Sequence, residues 1–224
     1  MNVPSTVTRI GNGSFLEFDY INYTGTAIQE SQYQVNWGAY AKNPYIEGDF
    51  IYADSTKTTL ERYTGNSKNV TIPSTVTTIG EYAFYETQIE SVSLPEGLTT
   101  IGKSAFEYTN LTSVNLPSTL TTIGDYAFEY TGLTSISLPS GLTTIGNYVF
   151  AYTNLTTITI PSSVTKIGEY IIHETKVTSV VFEDPSGWYY KRDNIHFEAE
   201  QLSDPLFATV ALKNKRAADD WTKS

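Results

Sequence analysis

The stretch PSTLTTIGDYAFEYTGLTSISL, residues 117–138, decides how this chain folds, because close copies of it stand on both sides. Upstream are PSTVTTIGEYAFYETQIESVSL from Pro73 and PEGLTTIGKSAFEYTNLTSVNL from Pro95. Downstream are PSGLTTIGNYVFAYTNLTTITI from Pro139 and PSSVTKIGEYIIHETKVTSVVF from Pro161. The period is 22 residues, and five units fill 73–182. Pro73, Pro95, Pro117, Pro139 and Pro161 keep register with Gly80, Gly102, Gly124, Gly146 and Gly168, a coincidence that only a repeat architecture produces.

Each unit carries six large apolar positions, in the third Leu120, Ile123, Phe128, Leu133, Ile136 and Leu138, which are expected to converge on one side. The segment LTSISL, 133–138, alternates apolar and small polar residues and predicts a short strand. Pro139 lacks an N–H and fixes its own φ, so the chain turns there. The glycine after TTI predicts a second corner that needs a permissive backbone. DYAFEY is too short for an independent helix and predicts one irregular or 3₁₀-like turn. A single 22-residue coil leaves its apolar face open above and below, so it acquires an interior only when neighbours stack on it. The predicted fold class is therefore a repeat solenoid, mainly β with short 3₁₀ or α turns.

The flanks read as covers on this stack. VPSTVTRIGNGSF places Pro4, Val7, Ile10, Gly11 and Phe15 at the spacings of Pro73, Val76, Ile79, Gly80 and Phe84. The period is then lost from Leu16 to about Ser67 and resumes at Val70 and Ile72. LEFDYINY alternates, and GDFIYADSTKTTLERY sets two β-rich runs around Asp54-Ser55, which predicts a hairpin. Beyond Phe182, Pro185-Ser186-Gly187 predicts a turn before extended aromatic-rich chain. Ser203, Asp204 and Pro205 start a helix with Leu206, Phe207, Val210 and Ala211 at helical spacing toward Arg216. Trp188 and Trp221 are candidates to cover the last coil. The expected division is 1–72, a partial repeat with a β-rich insertion; 73–182, five repeats; and 183–224, a C-terminal cap, in one continuous structural domain.

These segments together carry a resemblance. The LPxxφTxIGxxAF pattern of 73–182, the GDFIYADSTKTTLERY run before it and the DPSGWYY and terminal helix after it resemble the BspA-like, Treponema pallidum-type, leucine-rich-repeat proteins of bacterial cell surfaces. The resemblance implies a right-handed leucine-rich-repeat arc of the α/β horseshoe type. It also implies a cell-surface or secreted location and adhesion or host-protein binding. It transfers no residue-level site, since the shared positions are packing positions. Leucine-rich repeats commonly place Asn after the strand for a buried hydrogen-bond ladder, whereas this chain has Thr75, Gly97, Thr119, Gly141 and Ser163.

Composition narrows function further. Lys and Arg total 14 against 24 Asp and Glu, a net charge of −10, which repels nucleic-acid phosphate and anionic lipid. Zero Cys removes disulfides, thiolate nucleophiles and Cys-bound metals, and two histidines, His173 and His196, exclude a multi-histidine centre. No apolar run approaches the ~18 residues of a membrane span, and MNVPSTVTRI lacks a signal-peptide core. Nothing suggests a nucleophile, base and oxyanion donor acting together, and neither cofactor nor metal is called for. Glu183, Asp184 and Asp193 lack EF-hand spacing. His173 shares its position with Tyr85, Glu107, Glu129 and Ala151, which reads as a tolerated exposed site.

Stacking turns every repeated position into a ladder at about 4.8 Å. Outward strand positions include Ser113 and Asn115, Ser135 and Ser137, Thr157 and Thr159, a small hydroxyl-bearing row open to a partner or simply to water. Tyr82, Tyr126, Tyr148 and Tyr170 form one aromatic ladder and Tyr108, Tyr130 and Tyr152 another, suited either to covering the turns or to binding. The Thr99-Thr100, Thr121-Thr122 and Thr143-Thr144 pairs could order water, but Lys166 breaks the row. The unit 139–160, with Tyr148, Tyr152 and Asn154, carries no charge, and partner contact is expected to centre near it, with Tyr130 a further candidate contact. The expected function is a non-catalytic module, monomeric or weakly oligomeric, that binds a protein partner through the solenoid surface without entering a membrane. A structural spacer within a larger envelope protein is the alternative, and carbohydrate binding ranks below both.

Overall fold

The computed structural model describes residues 2–3, 22–23, 45–190, 195–196, 199–213 and 221–223. Near the start, β1 (Asn2–Val3) and β2 (Asn22–Tyr23) pair parallel. The partial repeat expected at Pro4–Phe15 and most of LEFDYINY lie outside the described residues. Then come β3 (Tyr45–Glu47), β4 (Phe50–Tyr52) and β5 (Thr59–Tyr63), an antiparallel meander whose second turn holds Asp54-Ser55 as expected. Through the repeats run β6 (Asn69–Thr71), β7 (Thr78–Ile79), β8 (Ser91–Ser93), β9 (Thr100–Ile101), β10 (Thr122–Ile123), β11 (Thr144–Ile145), β12 (Thr157–Ile160), β13 (Lys166–Ile167) and β14 (Ser179–Phe182). The C-terminal part adds β15 (Trp188–Tyr190), β16 (Ile195–His196), helices α1 (Ala199–Ser203) and α2 (Pro205–Lys213), and β17 (Trp221–Lys223).

The chain is a β-solenoid. Strands β5, β7, β9, β10, β11 and β13 lie side by side and parallel, with Leu60 opposite Ile79 and then Ile101, Ile123, Ile145 and Ile167 in unbroken register. Thr59 precedes its partner Thr78 by 19 residues rather than 22, so this coil joins the stack although its length departs from the sequence period. Inside, Phe84, Phe106, Phe128 and Phe150 stack with centroids 5.0, 5.4 and 5.9 Å apart, and Tyr63 continues the column below Phe84 at 5.2 Å. All four phenylalanines are fully buried. Beside them the hydroxyls of Thr109, Thr131 and Thr153 donate to the carbonyls of Phe106, Phe128 and Phe150 at 2.7–2.8 Å.

Two local expectations are corrected. First, the continuous ladder runs through the Thr-Ile pairs before the glycines, and not through LTSISL. On the LTSxxL edge only β6 with β8 and β12 with β14 pair as strands, while 113–116 and 135–138 form none. Val114, Leu116, Ile136 and Leu138 are accordingly only partly buried, so the six apolar positions do not share one fate. Second, the repeat glycines are not left-handed; of the described glycines only Gly48 and Gly187, both outside the repeats, have positive φ. Gly102, Gly124, Gly146 and Gly168 are needed because a Cβ would sit 2.4–2.8 Å from backbone atoms of the preceding coil. Omitting the Cβ lets neighbouring backbones close to hydrogen-bond distance, with Gly124 N–H donating to Ile101 O at 2.8 Å. That is the physical reason the ladder forms on this edge.

The segment after the glycine is the irregular turn expected, and its backbone geometry is specific. Each unit holds two left-handed non-glycine residues four apart, such as Tyr126 (φ 60°) and Tyr130 (φ 53°). Such a conformation costs an L-residue roughly 1–2 kcal/mol. It is offset because alternate N–H groups then point along the stack: Tyr126, Phe128 and Tyr130 donate to Asn147, Val149 and Ala151 carbonyls at 2.7–3.1 Å.

The C-terminal end is covered as expected, with different contacts. Asp204 accepts from Leu206 N–H at 2.9 Å and starts α2. The helix buries Ala208, Thr209 and Leu212, and of the expected apolar positions Phe207 and Ala211 pack partly buried against the core whereas Leu206 (67% exposed) and Val210 (51%) face outward. Thr209 joins the packed side. Its hydroxyl accepts Val180 N–H at 3.0 Å, capping the exposed strand β14, and donates to Pro205 O. Trp188 is buried edge-on to Phe182 at 5.5 Å. Residue 221 lies in β17, paired with β13 and β15; the chain toward Arg216 falls outside the described residues.

Candidate functional site: the surface ladders

Coils held in register present repeated side chains as rows, and three rows meet solvent. The outward positions Ser113, Asn115, Ser135, Ser137, Thr157 and Thr159 are all exposed. Their neighbours in the row are joined at Ser91, whose hydroxyl donates to Asn69 Oδ1 at 2.6 Å.

The threonine array is not free to order water as a grid. Thr99, Thr121 and Thr143 each donate to the carbonyl of the equivalent threonine one coil earlier, at 3.1 Å. The place of the familiar buried asparagine is glycine in two coils, and elsewhere carries hydroxyls that bond between coils: Thr119 donates to Leu98 O at 2.8 Å and Ser163 to Leu142 O at 2.7 Å. Side-chain amide chemistry reappears after the glycine, where Asp125 Oδ1 accepts Asn147 N–H at 2.8 Å and Asn147 Oδ1 accepts Glu169 N–H at 2.7 Å.

Tyrosines dominate the turn face. Tyr108, Tyr130 and Tyr152 stack nearly parallel, with centroids 4.6 and 4.2 Å apart, and are 43, 40 and 37% exposed. Tyr126, Tyr148 and Tyr170 stack at 5.3 and 5.0 Å and are half-buried. Both stacks depend on the left-handed residues, because every one of these tyrosines has positive φ. Where Ser104 interrupts the inner stack, Lys103 fills the gap, its Nζ 5.9 Å from the Tyr82 ring and 5.9 Å from the Tyr126 ring. A hydrogen bond with Tyr82 holds the lysine's pKa above its ordinary value.

Between the stacks runs the column Tyr85, Glu107, Glu129, Ala151 and His173. His173 is not the exposed residue expected. It is half-buried, edge-on to Tyr148, Tyr152 and Tyr170 at 6.2, 5.5 and 5.4 Å. Tyr85 stands edge-on to Tyr108 at 5.9 Å, so the outer stack is closed at both ends. Glu129 is 8% exposed. Burial, together with the neighbouring Glu107 carboxyl, pushes its pKa up to about 7. The sequence reading passed over this pair, although two acids in one column 22 residues apart were a usable signal. His196 and the Asp193 and Glu198 around it lie outside the side chains described. Among the described residues no group of three or more His, Cys, Asp or Glu side chains is placed to hold a metal.

Rows of this kind on a solenoid of about six coils define a repeat protein of the leucine-rich class. The BspA-type leucine-rich-repeat region, in six copies, matches residues 59–178, and the chain belongs to that family. The match begins at Thr59, the start of the short first coil. No curated protein matches the chain. Among solved structures it is similar to the T. pallidum leucine-rich-repeat protein, at 29% identity and TM-score 0.54, over 59% of this chain and 68% of that one. A leucine-rich-repeat protein of Eubacterium ventriosum aligns at 28% identity and TM-score 0.53, over 59% of this chain and 39% of the other, so this chain spans well under half of that relative's length. The pneumococcal vaccine antigen PcpA shares the fold at 20% identity and TM-score 0.51, over 67% of this chain and 50% of that one. No helix among the described residues is long and apolar enough to cross a membrane.

Proposed function

We propose that this chain is a non-catalytic recognition module that binds a protein partner through its solenoid surface, on or outside a bacterial cell. Membership of the BspA-type repeat family supports the general role of protein interaction. The observation that carries the reading is the exposed, preorganised rows, above all the Tyr108–Tyr130–Tyr152 stack at 4.2–4.6 Å spacing. A surface already fixed by its own coil-to-coil bonds loses little entropy on binding, so modest contacts sum along the array. Ser113, Asn115, Ser135, Ser137, Thr157 and Thr159 offer hydroxyl and amide contacts, and Tyr130, Tyr148 and Tyr152 offer rigid aromatic area.

The test is a binding screen of the purified chain against immobilised extracellular-matrix and host-surface proteins, with glycans as a parallel arm. Saturable binding to a defined protein supports recognition and adhesion. Binding to glycans alone moves the role to carbohydrate recognition. No binding across both arms leaves the spacer role, in which the solenoid holds a neighbouring module away from the envelope.

A further inference from the structure

The turn face differs chemically from the rest of the array. Of the nine acidic residues in 73–182, seven lie in the segments between the glycine and the buried threonine, against one base there, Lys103. They share that face with both tyrosine stacks. Contacts of His173 with Tyr148 and Tyr170 on one side and Tyr152 on the other place its column between the stacks, and Glu107 and Glu129 belong to that column. The column thus forms the floor of a trough with two carboxyls in its middle, walled by tyrosines on the outer side and by tyrosines broken at Lys103 on the inner side.

Three observations say what fits. Glu129 is nine-tenths buried and its carboxyl is hydrogen-bonded to that of Glu107; among the described residues neither acid forms a salt bridge. A proton shared between the two carboxyls keeps one of them neutral, and once both ionise the buried pair lacks a counter-charge, a cost that an entering cation removes. The walls are aromatic, and a bare metal ion gains nothing from them, whereas the aliphatic stem of lysine or arginine has apolar surface to lay against the rings. The protein itself supplies an instance, since Lys103 occupies the one gap in the inner stack, between Tyr82 and Tyr126. A sugar ring is a poorer occupant: the outer stack's faces are already covered by one another and, at its ends, by Tyr85 and His173.

We propose that the trough between the two tyrosine stacks, floored by Glu107 and Glu129, docks a lysine- or arginine-bearing segment of a partner protein, the basic group pairing with the two carboxylates. This rests on the reading of the chain as a protein-recognition module and names the face and the partner's chemistry. It also moves the expected contact centre away from the uncharged unit 139–160, one coil along.

The test uses the full chain and a fluorescein-labelled peptide of alternating arginine and glycine-serine spacers, read by anisotropy at pH 8 and about 0.15 M salt, where diffuse charge attraction is screened within about 8 Å. The peptide with citrulline in place of arginine is the uncharged control. Glu107→Gln with Glu129→Gln is compared with Glu61→Gln with Glu96→Gln, which removes the same charge elsewhere on the exposed surface. The proposal expects the trough variant to weaken arginine-peptide binding at least about tenfold, the control variant to change it less than twofold, and citrulline to abolish it, with unchanged circular dichroism. Equal losses in both variants, no loss in the trough variant, or no binding by the unmodified chain overturns the trough. A partner from the protein screen that binds the trough variant normally overturns the trough while leaving the recognition role intact; an empty screen strikes the recognition role itself.

Discussion

Replacing Gly124 by alanine tests why the coils lie as close as they do. The added Cβ would stand 2.7 Å from Lys103 N, 2.8 Å from Gly102 C and 3.2 Å from Gly102 O, where ordinary contact begins at 3.4 Å. Every one of these atoms is backbone, so no side chain can swing aside, and the coils must part by about 0.6 Å. Gly124 N–H donates to Ile101 O at 2.8 Å and Thr122 N–H to Thr99 O at 3.2 Å, and that movement carries both toward or beyond the hydrogen-bond limit. Loss of one or two bonds at about 1 kcal/mol each, added to overpacking of about 1–3 kcal/mol, gives an expected destabilisation of roughly 2–5 kcal/mol. Urea titration followed by circular dichroism, with the midpoint compared at fixed slope, measures it. Gly124→Asn separates the two possible causes. Asparagine accepts left-handed backbone, so a conformational cause makes Asn clearly milder than Ala, whereas close approach makes Asn at least as costly. A loss under about 0.5 kcal/mol for Gly124→Ala, or a mild Asn variant, would refute the packing argument.

The other perturbations follow from the same stack. Phe128→Ala removes a fully buried ring sandwiched between Phe106 and Phe150, at an expected cost of about 3–5 kcal/mol in the same titration; under 1 kcal/mol would contradict the assigned register. Thr131→Val deletes the hydroxyl that donates to Phe128 O at 2.8 Å and is expected to cost about 1 kcal/mol, with a neutral result showing the bond to be incidental. Glu129 has a folded pKa of about 7 against an ordinary 4.5, so the folded state binds the extra proton between those values. Stability therefore falls as pH rises from about 4.5 to about 7 and levels off above, and Glu129→Gln flattens that part of the profile; an unchanged profile in the variant would assign the slope to another group.

Much of the solenoid was legible because its governing signal is periodic. Phe84, Phe106, Phe128 and Phe150 could be assigned to one spine from spacing alone, since identical units can bury a common face only by stacking. What failed did so where two physical causes give one letter. A recurring glycine signals either unusual φ or close approach, and here close approach decides. A tyrosine is a poor advertisement for left-handed backbone, so Tyr126 and Tyr130 concealed the turn geometry that places their rings. The coil starting at Thr59 was obscured because its step is 19 residues, although its Leu60 and Tyr63 fill the core positions. In the helix α2, the apolar stripe marked only Phe207 and Ala211 of the packed side, and the threonine that bonds Val180 lies on that side too. Glu107 and Glu129 share a column visible in the letters, but that the second is buried follows from the tyrosines around it.

The glycine column also bears on how such a chain can change length. Because each coil meets the next by the same close backbone approach, tandem duplication of one whole unit, such as 117–138, would lengthen every row by one step and leave both end covers with the neighbours they already have. A length change within a turn can be absorbed, as in the coil starting at Thr59, but an insertion between the ladder strand and its glycine would throw the glycine out of line and open the seam. Reach, and the number of side chains presented along it, can therefore grow in quanta while the joints stay the same.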